Sequence, residues 1–456
     1  MKKCFIKNRL VKNPAIILVI GFGCLILLGS LLLALPAASA TGKSIGFIDA
    51  LFTSTSAVCI TGLSVFDPGS TLSMFGQVTL LSLIQMGGIG FMTLTSFVFM
   101  VMGKKITLRE RMLISDSFND TQLRGAVRMT RNVLIITAVT EGIGILLLCL
   151  RFIPMYGVGN GIYFSVFHAI SAFCNAGFDV FGLGSSMLPF EGDPLINIVT
   201  MGLIVVGGLG FFVILDLWEA GRGRKKRLNF HTKIVLIVTG ILIAAGFLIF
   251  LSVESSNPQT LGAEGMRTSD KVLGALFQSV TTRTAGFATI PQGDLLPVSK
   301  VVSVGLMFIG ASPAGTGGGI KTTTFAVLVL FVISIIKGND DVVVFGRTIN
   351  RKVVMRAVAS CALGITLVLV VTSAMAVIEH GSIHLADIAY ETTSAFGTVG
   401  LSTGVTHAFS SESKLLLILL MYCGRVGVFT FTMALSLRLA KKKANIRYPG
   451  GKLLIG

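Results

Sequence analysis

Four stretches of this chain share one pattern, and together they leave few folds open. Three are Phe52–Gly62, Phe167–Gly177 and Phe277–Gly286, the last one residue shorter; the fourth contains Ser394-Ala395-Phe396-Gly397-Thr398-Val399-Gly400-Leu401. Each has an aromatic residue, a hydroxyl four positions on (Ser56, Ser171, Thr281, Ser394), and a glycine followed by Leu or Phe. Glycines 62, 177, 286 and 400 lie 115, 109 and 114 residues apart. Four copies at a near-constant period mean internal repetition of one structural unit. The Thr-Val-Gly of the fourth copy reads as a stretch whose backbone carbonyls replace an ion's water, and glycine adopts the required φ/ψ at least steric cost. Alone, such a glycine equally serves close packing of apolar helices. Recurrence favours the first reading.

The chain is 53% hydrophobic and 13% charged, with mean hydropathy +0.84, against about 25% charged in soluble domains. It reads as an integral membrane protein in contact with lipid. Its formal charge of +17 raises nucleic acid as a partner until the charge is placed. The seven cysteines are odd in number and lack Cys-x-x-Cys pairing, which argues against a disulfide framework or a zinc site.

The first apolar run, 15–35, follows five basic residues. It exceeds the usual signal-peptide core and fits a retained spanning helix. Each repeat then reads as a long helix, a short half-apolar segment, a glycine stretch and a second long helix. The long helices are expected near 14–36 and 72–102, 127–151 and 194–219, 231–253 and 296–337, and 351–378 and 411–440. The short segments near 45–58, 160–174, 269–281 and 383–395 cannot cross a bilayer and suit re-entrant helices buried in protein. Their C-terminal dipoles would favour a cation. The expected class is therefore all-α and integral to the membrane, with eight transmembrane helices around one pseudo-fourfold pore. Its repeats cover 1–103, 104–221, 222–350 and 351–456.

If both termini and every inter-repeat loop share one side, that side carries 29 of the 38 Lys and Arg residues. The other side carries 6, and Arg283, Lys321 and Arg425 remain at membrane depth. By the positive-inside rule the rich side is cytoplasmic. The basic charge is then topological and does not imply nucleic acid.

Four fused helix–pore-loop–helix units with one glycine at each pore loop resemble the Trk/Ktr/HKT potassium-transporter superfamily over the whole chain. The compact length, the Ser394–Leu401 stretch and the terminal Asn445-Ile446-Arg447-Tyr448-Pro449-Gly450-Gly451 are most similar to the bacterial Ktr membrane subunits (KtrB/KtrD type). The resemblance implies potassium uptake across a bacterial plasma membrane, homodimerisation and a cytosolic nucleotide-binding ring of the RCK type (KtrA/KtrC type). Nucleotide would act through that partner alone. It also implies sodium dependence in some members, and a preference for potassium where the first ring position is glycine, as Gly62 is here.

The carbonyl donors for K+ are expected just before each glycine. They are Val58, Cys59, Ile60 and Thr61 before Gly62; Cys174, Asn175 and Ala176 before Gly177; Thr282, Arg283, Thr284 and Ala285 before Gly286; and Gly397, Thr398 and Val399 before Gly400. Only the fourth stretch approaches the potassium-channel pattern, so fewer well-formed ion sites are expected. Arg283 has two readings: it repels ions, or it turns behind the filter and bonds backbone carbonyls through its several donors.

A second feature lies within the last helix of repeat three, at Gly310-Ala311-Ser312-Pro313-Ala314-Gly315-Thr316-Gly317-Gly318-Gly319-Ile320-Lys321-Thr322-Thr323. Interior Gly costs a helix about 1 kcal/mol and Pro about 3 relative to Ala, so this stretch is not helical. Such backbone is tolerated at membrane depth only against protein or water. A phosphate-binding loop is excluded by context, since no strand precedes it and the required Gly-Lys-Ser/Thr spacing is absent. The stretch resembles the superfamily's intramembrane gate, and Arg425 resembles its gate-holding arginine. Lys321 either repels cations from a closed pore or snorkels to the interface. The matching helices of the other repeats carry Gly87-Gly88-Ile89-Gly90-Phe91, Gly207-Gly208-Leu209-Gly210-Phe211 and Gly424-Arg425-Val426-Gly427, of which the first two read as close-packing sites.

Asp49 and Asp387 each stand thirteen residues before their glycines and read as caps or dipole partners. His168 reads as a buttress and Glu141 as a bundle hydrogen-bond partner. An alternating-access secondary transporter of cations is the alternative class. It predicts inverted repeats, whereas these repeats share one orientation. An enzyme would need a nucleophile with a base, or a metal cluster, and no such set is evident.

Overall fold

The computed structural model describes residues 14–90, 126–182, 184–223, 225, 227–339 and 341–428. The N-terminal basic cluster, most of the basic stretch 104–131, Phe91, Arg224, Lys226 and the C-terminal Asn445–Gly451 lie outside them. Repeat one contains α1 (Pro14–Leu33), α2 (Phe47–Val58) and α3 (Met74–Ile89). Repeat two contains α4 (Ala126–Tyr156), α5 (Val158–Cys174), α6 (Pro194–Leu209) and α7 (Phe211–Gly221). Repeat three contains α8 (Phe230–Glu254), α9 (Thr268–Thr281), α10 (Pro297–Phe308) and α11 (Thr322–Ile336). Repeat four contains α12 (Arg351–Ile378), α13 (Leu385–Gly397) and α14 (Ser411–Val426). A two-residue antiparallel ladder, Val343–Val344 with Arg347–Thr348, joins the last two repeats. The architecture is four helix–pore-helix–helix units, as the glycine period predicts.

Among the described residues, four helices are individually long and apolar enough to cross a membrane: Ile16–Leu33, Thr130–Tyr156, Phe230–Glu254 and Arg351–Ile378. They are the first helices of the four repeats. Each exposes large apolar side chains outward, including Leu31, Leu146, Leu248 and Leu369. The short second helices α2, α5, α9 and α13 are surrounded by protein. Thr53, Ser54, Thr55 and Ser56 of α2 have no exposure at all, and the first three hydroxyls survive there by donating to backbone carbonyls at 2.7–2.8 Å. Ser54 Oγ donates to the Ile26 carbonyl of α1 at 2.7 Å, and a Cβ on Gly29 would collide with that hydroxyl. Repeat three copies this contact, with Ser279 Oγ on the Ile243 carbonyl at 2.7 Å and Gly246 leaving the space. In repeat four a Thr372–Thr392 hydroxyl pair at 2.7 Å takes its place.

The third helix of a repeat starts on a cap and stops on a glycine. Ser73, Asp193 and Ser410 accept backbone amides at the starts of α3, α6 and α14. Gly90, Gly210 and Gly427 end these helices at φ 86°, 91° and 89°, a region open to glycine at little cost. A single helix over 194–219 is therefore corrected to two, α6 and α7, bent by 101°. The packing role holds for the first glycine of each motif. A Cβ on Gly87, Gly207 or Gly424 would strike the carbonyl of Val58, Phe173 or Phe396, each four residues before its own ring glycine. The last glycine of each motif breaks the helix.

Ion pairs stitch neighbouring repeats together. Lys414 of α14 meets Asp49 of α2 at 2.8 Å, and Lys300 of α10 meets Asp387 of α13 at 3.2 Å. Both aspartates lie in the first helical turn, where the dipole favours them. The caps themselves are Gly46 and His384, so neither aspartate is one. His168 Nε2 pairs with Thr200 Oγ1 at 3.0 Å, and Glu141 accepts from Gln85 at 3.1 Å.

Candidate functional site

The four pore helices end on one ring. A Cβ built on Gly62 would meet the Ala176 carbonyl oxygen at 2.5 Å, and one on Gly177 that of Ala285 at 2.7 Å. One on Gly286 would meet that of Val399 at 2.5 Å, and one on Gly400 would overlap that of Thr61. Each glycine thus abuts the residue before the next glycine, and the circuit closes on itself. The four have φ of 88°, 70°, 81° and 92°. Two residues earlier in every repeat the backbone is left-handed again, at Ile60 (59°), Asn175 (60°), Thr284 (76°) and Thr398 (50°). Three of these are β-branched, for which this conformation costs at least about 1 kcal/mol. Alternating left-handed residues turn successive carbonyls to one side, and strain repeated at four equivalent places belongs to the design of the site.

The residue at the hydroxyl position of the repeated pattern holds this conformation, first through its backbone. The backbone carbonyls of Ser56, Ser171 and Ser394 accept from the amides of Thr61, Ala176 and Val399 at 2.7, 2.8 and 2.9 Å. In the shorter third repeat Thr281 accepts from Ala285 at 3.0 Å, one residue closer in sequence. In repeats two and three the side chain also reaches past the ring glycine, and in repeat four it bonds the glycine itself. Ser171 Oγ donates to the Phe178 carbonyl and Thr281 Oγ1 to that of Phe287, both at 2.6 Å, while Ser394 Oγ accepts from the Gly400 amide at 3.0 Å.

Against the ring residues lies the break between α10 and α11, which ends two residues before 323 because Thr322 and Thr323 already form the first turn of α11. Ile309 bridges Ile320, with the Gly310 amide on the Ile320 carbonyl at 2.8 Å, and the chain between them bonds outward. The amides of Ser312 and Thr316 donate to the Gly208 and Gly207 carbonyls at 3.0 and 3.1 Å. Those carbonyls belong to the last turn of α6, left without helical partners by its break at Gly210. The Phe211 amide, just past that break, donates back to the Ala314 carbonyl at 3.1 Å. The bend of repeat two and the loop of repeat three therefore satisfy each other.

The remaining bonds reach the other repeats. Gly318 N donates to Thr398 Oγ1 at 2.9 Å, and Thr316 Oγ1 to the Phe173 carbonyl at 3.2 Å. A Cβ on Gly317 would strike Thr284, and one on Gly318 would strike Thr398. The loop thus lies directly against the ring's left-handed residues. Arg283, 7% exposed, turns to the loop and donates from Nη2 to the Gly310 carbonyl at 2.8 Å. Arg425 donates to the carbonyls of Thr316 and Gly87. Lys321 Nζ folds back onto the Gly317 carbonyl at 2.7 Å. With its amide turned to donate to the Ala172 and Ile204 carbonyls, Asn175 accepts from Thr284 Oγ1 at 3.1 Å, joining two neighbouring ring stretches.

Sequence reasoning missed a polar group behind the ring. Tyr390 OH donates to Gln292 Oε1 at 2.9 Å, and Gln292 is doubly paired with Gln278 at 2.7 and 3.0 Å. Glu391, fully buried, accepts from Ser402 Oγ at 2.5 Å, Thr403 N at 3.1 Å and Thr406 Oγ1 at 2.9 Å. The one available signal was that Tyr390, alone among the pattern's aromatics, carries a hydroxyl.

Comparison with known proteins agrees with this architecture. Residues 8–445 match the family model TrkH, described as cation transport protein. The chain is 38% identical over 454 residues to the Ktr system potassium uptake protein B of Bacillus subtilis, covering 99% of each. It is 37% identical to the potassium/sodium uptake protein NtpJ of Enterococcus hirae, covering 99% of this chain and 98% of the relative. Among solved structures, the potassium transporter TrkH of Vibrio parahaemolyticus superposes with a TM-score of 0.73 at 18% identity, over 94% of this chain and 86% of that one. The fold and the full-length relatives agree: the chain belongs to the TrkH family of membrane cation transport proteins.

Proposed function

We propose that this chain is the pore subunit of a potassium uptake system in a bacterial plasma membrane, and that K+ crosses it through the ring of Gly62, Gly177, Gly286 and Gly400. The observation that carries this reading is the closed circuit of glycine against carbonyl, with left-handed backbone at equivalent positions of all four repeats. Carbonyls presented this way replace a cation's hydration shell without bringing a charge of their own. The pore-helix C-termini add negative dipole ends at the same place. Potassium as cargo is supported by the names of the relatives, one of which also names sodium. Na+ accordingly accompanies or activates the flux.

The loop 310–321 is the barrier in this reading. Its bonds to repeats two and four and to Arg283 of its own repeat hold it against the ring, and Arg425 fastens it to repeat one. Homodimerisation, cytoplasmic termini and a cytosolic nucleotide-binding regulatory ring complete the proposal. The cytoplasmic termini rest on the asymmetry of basic residues; homodimerisation and the regulatory ring rest on the resemblance to Ktr membrane subunits, a Ktr system being named for one relative.

The test is uptake of K+ and Na+ by the purified protein in liposomes, each ion competing against the other. Saturable K+ uptake that Na+ displaces poorly is the expected result. Uptake without discrimination between the two ions would remove the ring from its assigned role.

A further inference from the structure

We infer that Tyr390, with Gln292 and Gln278, is a specificity-determining positioning group for the ring, and that its hydroxyl sets ion discrimination without touching the ion. This rests on the pore reading above and deepens it. Tyr390 is fully buried and packs in one apolar cluster with Val399 and Leu401, the residues flanking Gly400. Its hydroxyl crosses to Gln292 in the segment that follows Gly286. Gln292 also donates to the Ile290 carbonyl at 2.7 Å and is locked by the reciprocal amide pair to Gln278 of α9. Behind the ring, this chain of bonds joins the same two repeats that meet within it, where Gly286 faces the Val399 carbonyl.

A second connection closes the circuit. Gly293, next to Gln292, is packed so closely that a Cβ there would lie 3.0 Å from the Thr403 carbonyl. The amide of that same Thr403 donates to Glu391, the neighbour of Tyr390 on α13. The segments after Gly286 and after Gly400 are thus held to one another and both to α13. The other three aromatics of the pattern, Phe52, Phe167 and Phe277, have no hydroxyl with which to build such a chain. Hence this quarter of the ring has a polar brace that the aromatic position of no other repeat supplies. Where a carbonyl cage selects by fit to the ion's radius, its oxygens must resist moving inward. A buried, fully paired network is the element that resists.

Tyr390→Phe keeps the ring packing and removes the hydroxyl's bond to Gln292, whose oxygen retains Gln278, together with its contact to Ser303 of α10, in the same third repeat. In liposome uptake with ion competition, it should lower the K+-over-Na+ preference about two- to tenfold, the range set by loss of one buried hydrogen bond. Maximal K+ flux should be kept. Gln278→Leu should act in the same direction, and the double variant should lose no more than the larger single effect, because both open one circuit. Thr372→Val, which breaks a different buried bond of α13 to α12, reports a general loosening of the helix and should leave the preference intact. Equal preference in wild type and Tyr390→Phe would overturn the inference while leaving the pore reading standing. An equal loss in Thr372→Val would overturn it too, since the effect would then be one of helix stability. A wild type that does not discriminate would overturn both.

Discussion

Arg425 donates one guanidinium nitrogen to the carbonyl of Thr316, 109 residues earlier in the chain, and a second to that of Gly87 in the first repeat. One side chain from repeat four therefore ties the loop of repeat three to the end of a repeat-one helix. A half-buried guanidinium at membrane depth needs acceptors because its charge is costly there, and the loop needs donors because its carbonyls have left a helix. The two requirements cancel.

If the loop closes the pore, removing its fastener should open it. Arg425→Ala, or deletion of residues 314–318, should raise basal K+ flux several-fold without abolishing selectivity. Both changes remove one barrier, so their combination should not exceed the larger single effect. Flux assays on inserted, folded protein decide the matter. Lower flux in both variants would assign the loop to supporting the pathway.

Gly62→Ser and Gly400→Ser place a side chain at φ near +90°, against a neighbouring carbonyl in each case. Each should reduce K+-over-Na+ preference by about tenfold, the equivalent of 1.4 kcal/mol. Gly88 makes a poor control, since a Cβ there would collide with Cys174 Sγ. Gly240, with nothing within 4 Å of an added Cβ, is a sound one. Gly240→Ala should leave ion competition as it is, and unchanged competition in both serine variants would refute the ring assignment.

Asp179 follows the second ring stretch, and burial, then the Asp67 carboxylate, pushes its pKa up to about 7. An unfolded aspartate titrates near about 3.9. Between these values the folded protein holds a proton that the unfolded chain has lost, so this group's contribution falls as pH rises and is flat above about 7. Asp179→Asn should therefore be more thermostable than the wild type at pH 8, by on the order of 1–3 °C. The advantage should shrink steadily towards pH 5. A melting difference that does not change with pH would dismiss Asp179 as its source.

The basic segment after α7 is held from beneath. Lys225 bridges Asp216 at 3.0 Å and Glu219 at 2.7 Å, and Arg222 lies over the Trp218 ring at 4.4 Å. If a cytosolic regulator docks there, replacing Arg222, Arg224, Lys225 and Lys226 with Gln should weaken its co-purification several-fold. Raised salt should weaken wild-type binding in the same way, as exposed charges are screened beyond about 10 Å at 0.1 M. Binding indifferent to both would confine these charges to setting topology.

The repeat architecture was legible because glycine, hydroxyl and aromatic recur at fixed spacing, and the ring positions followed from that spacing. The hydroxyl's task was not, since the pattern does not say that Ser171 and Thr281 reach the carbonyls past their glycines. The helix breaks at Gly90, Gly210 and Gly427 were hidden for a different reason. Glycine in an apolar helix serves packing or termination equally well, and at Gly210 the loop 312–316 accompanies the break, a partner about one hundred residues distant. The pairs Asp49–Lys414 and Tyr390–Gln292, separated by 365 and 98 residues, leave no periodic trace in the chain.

The loop's dependence on distant partners constrains how the protein is made. Gly318 bonds Thr398, 80 residues downstream, and Thr316 waits for Arg425, 109 residues downstream. At about 5–20 residues per second of synthesis, the Gly318 amide lacks that partner for roughly 4–16 s after it leaves the ribosome. During that interval polar backbone destined for membrane depth must stay in water, or be shielded by the insertion machinery. Nascent chains halted before residue 398 would carry the Gly318 amide without this partner.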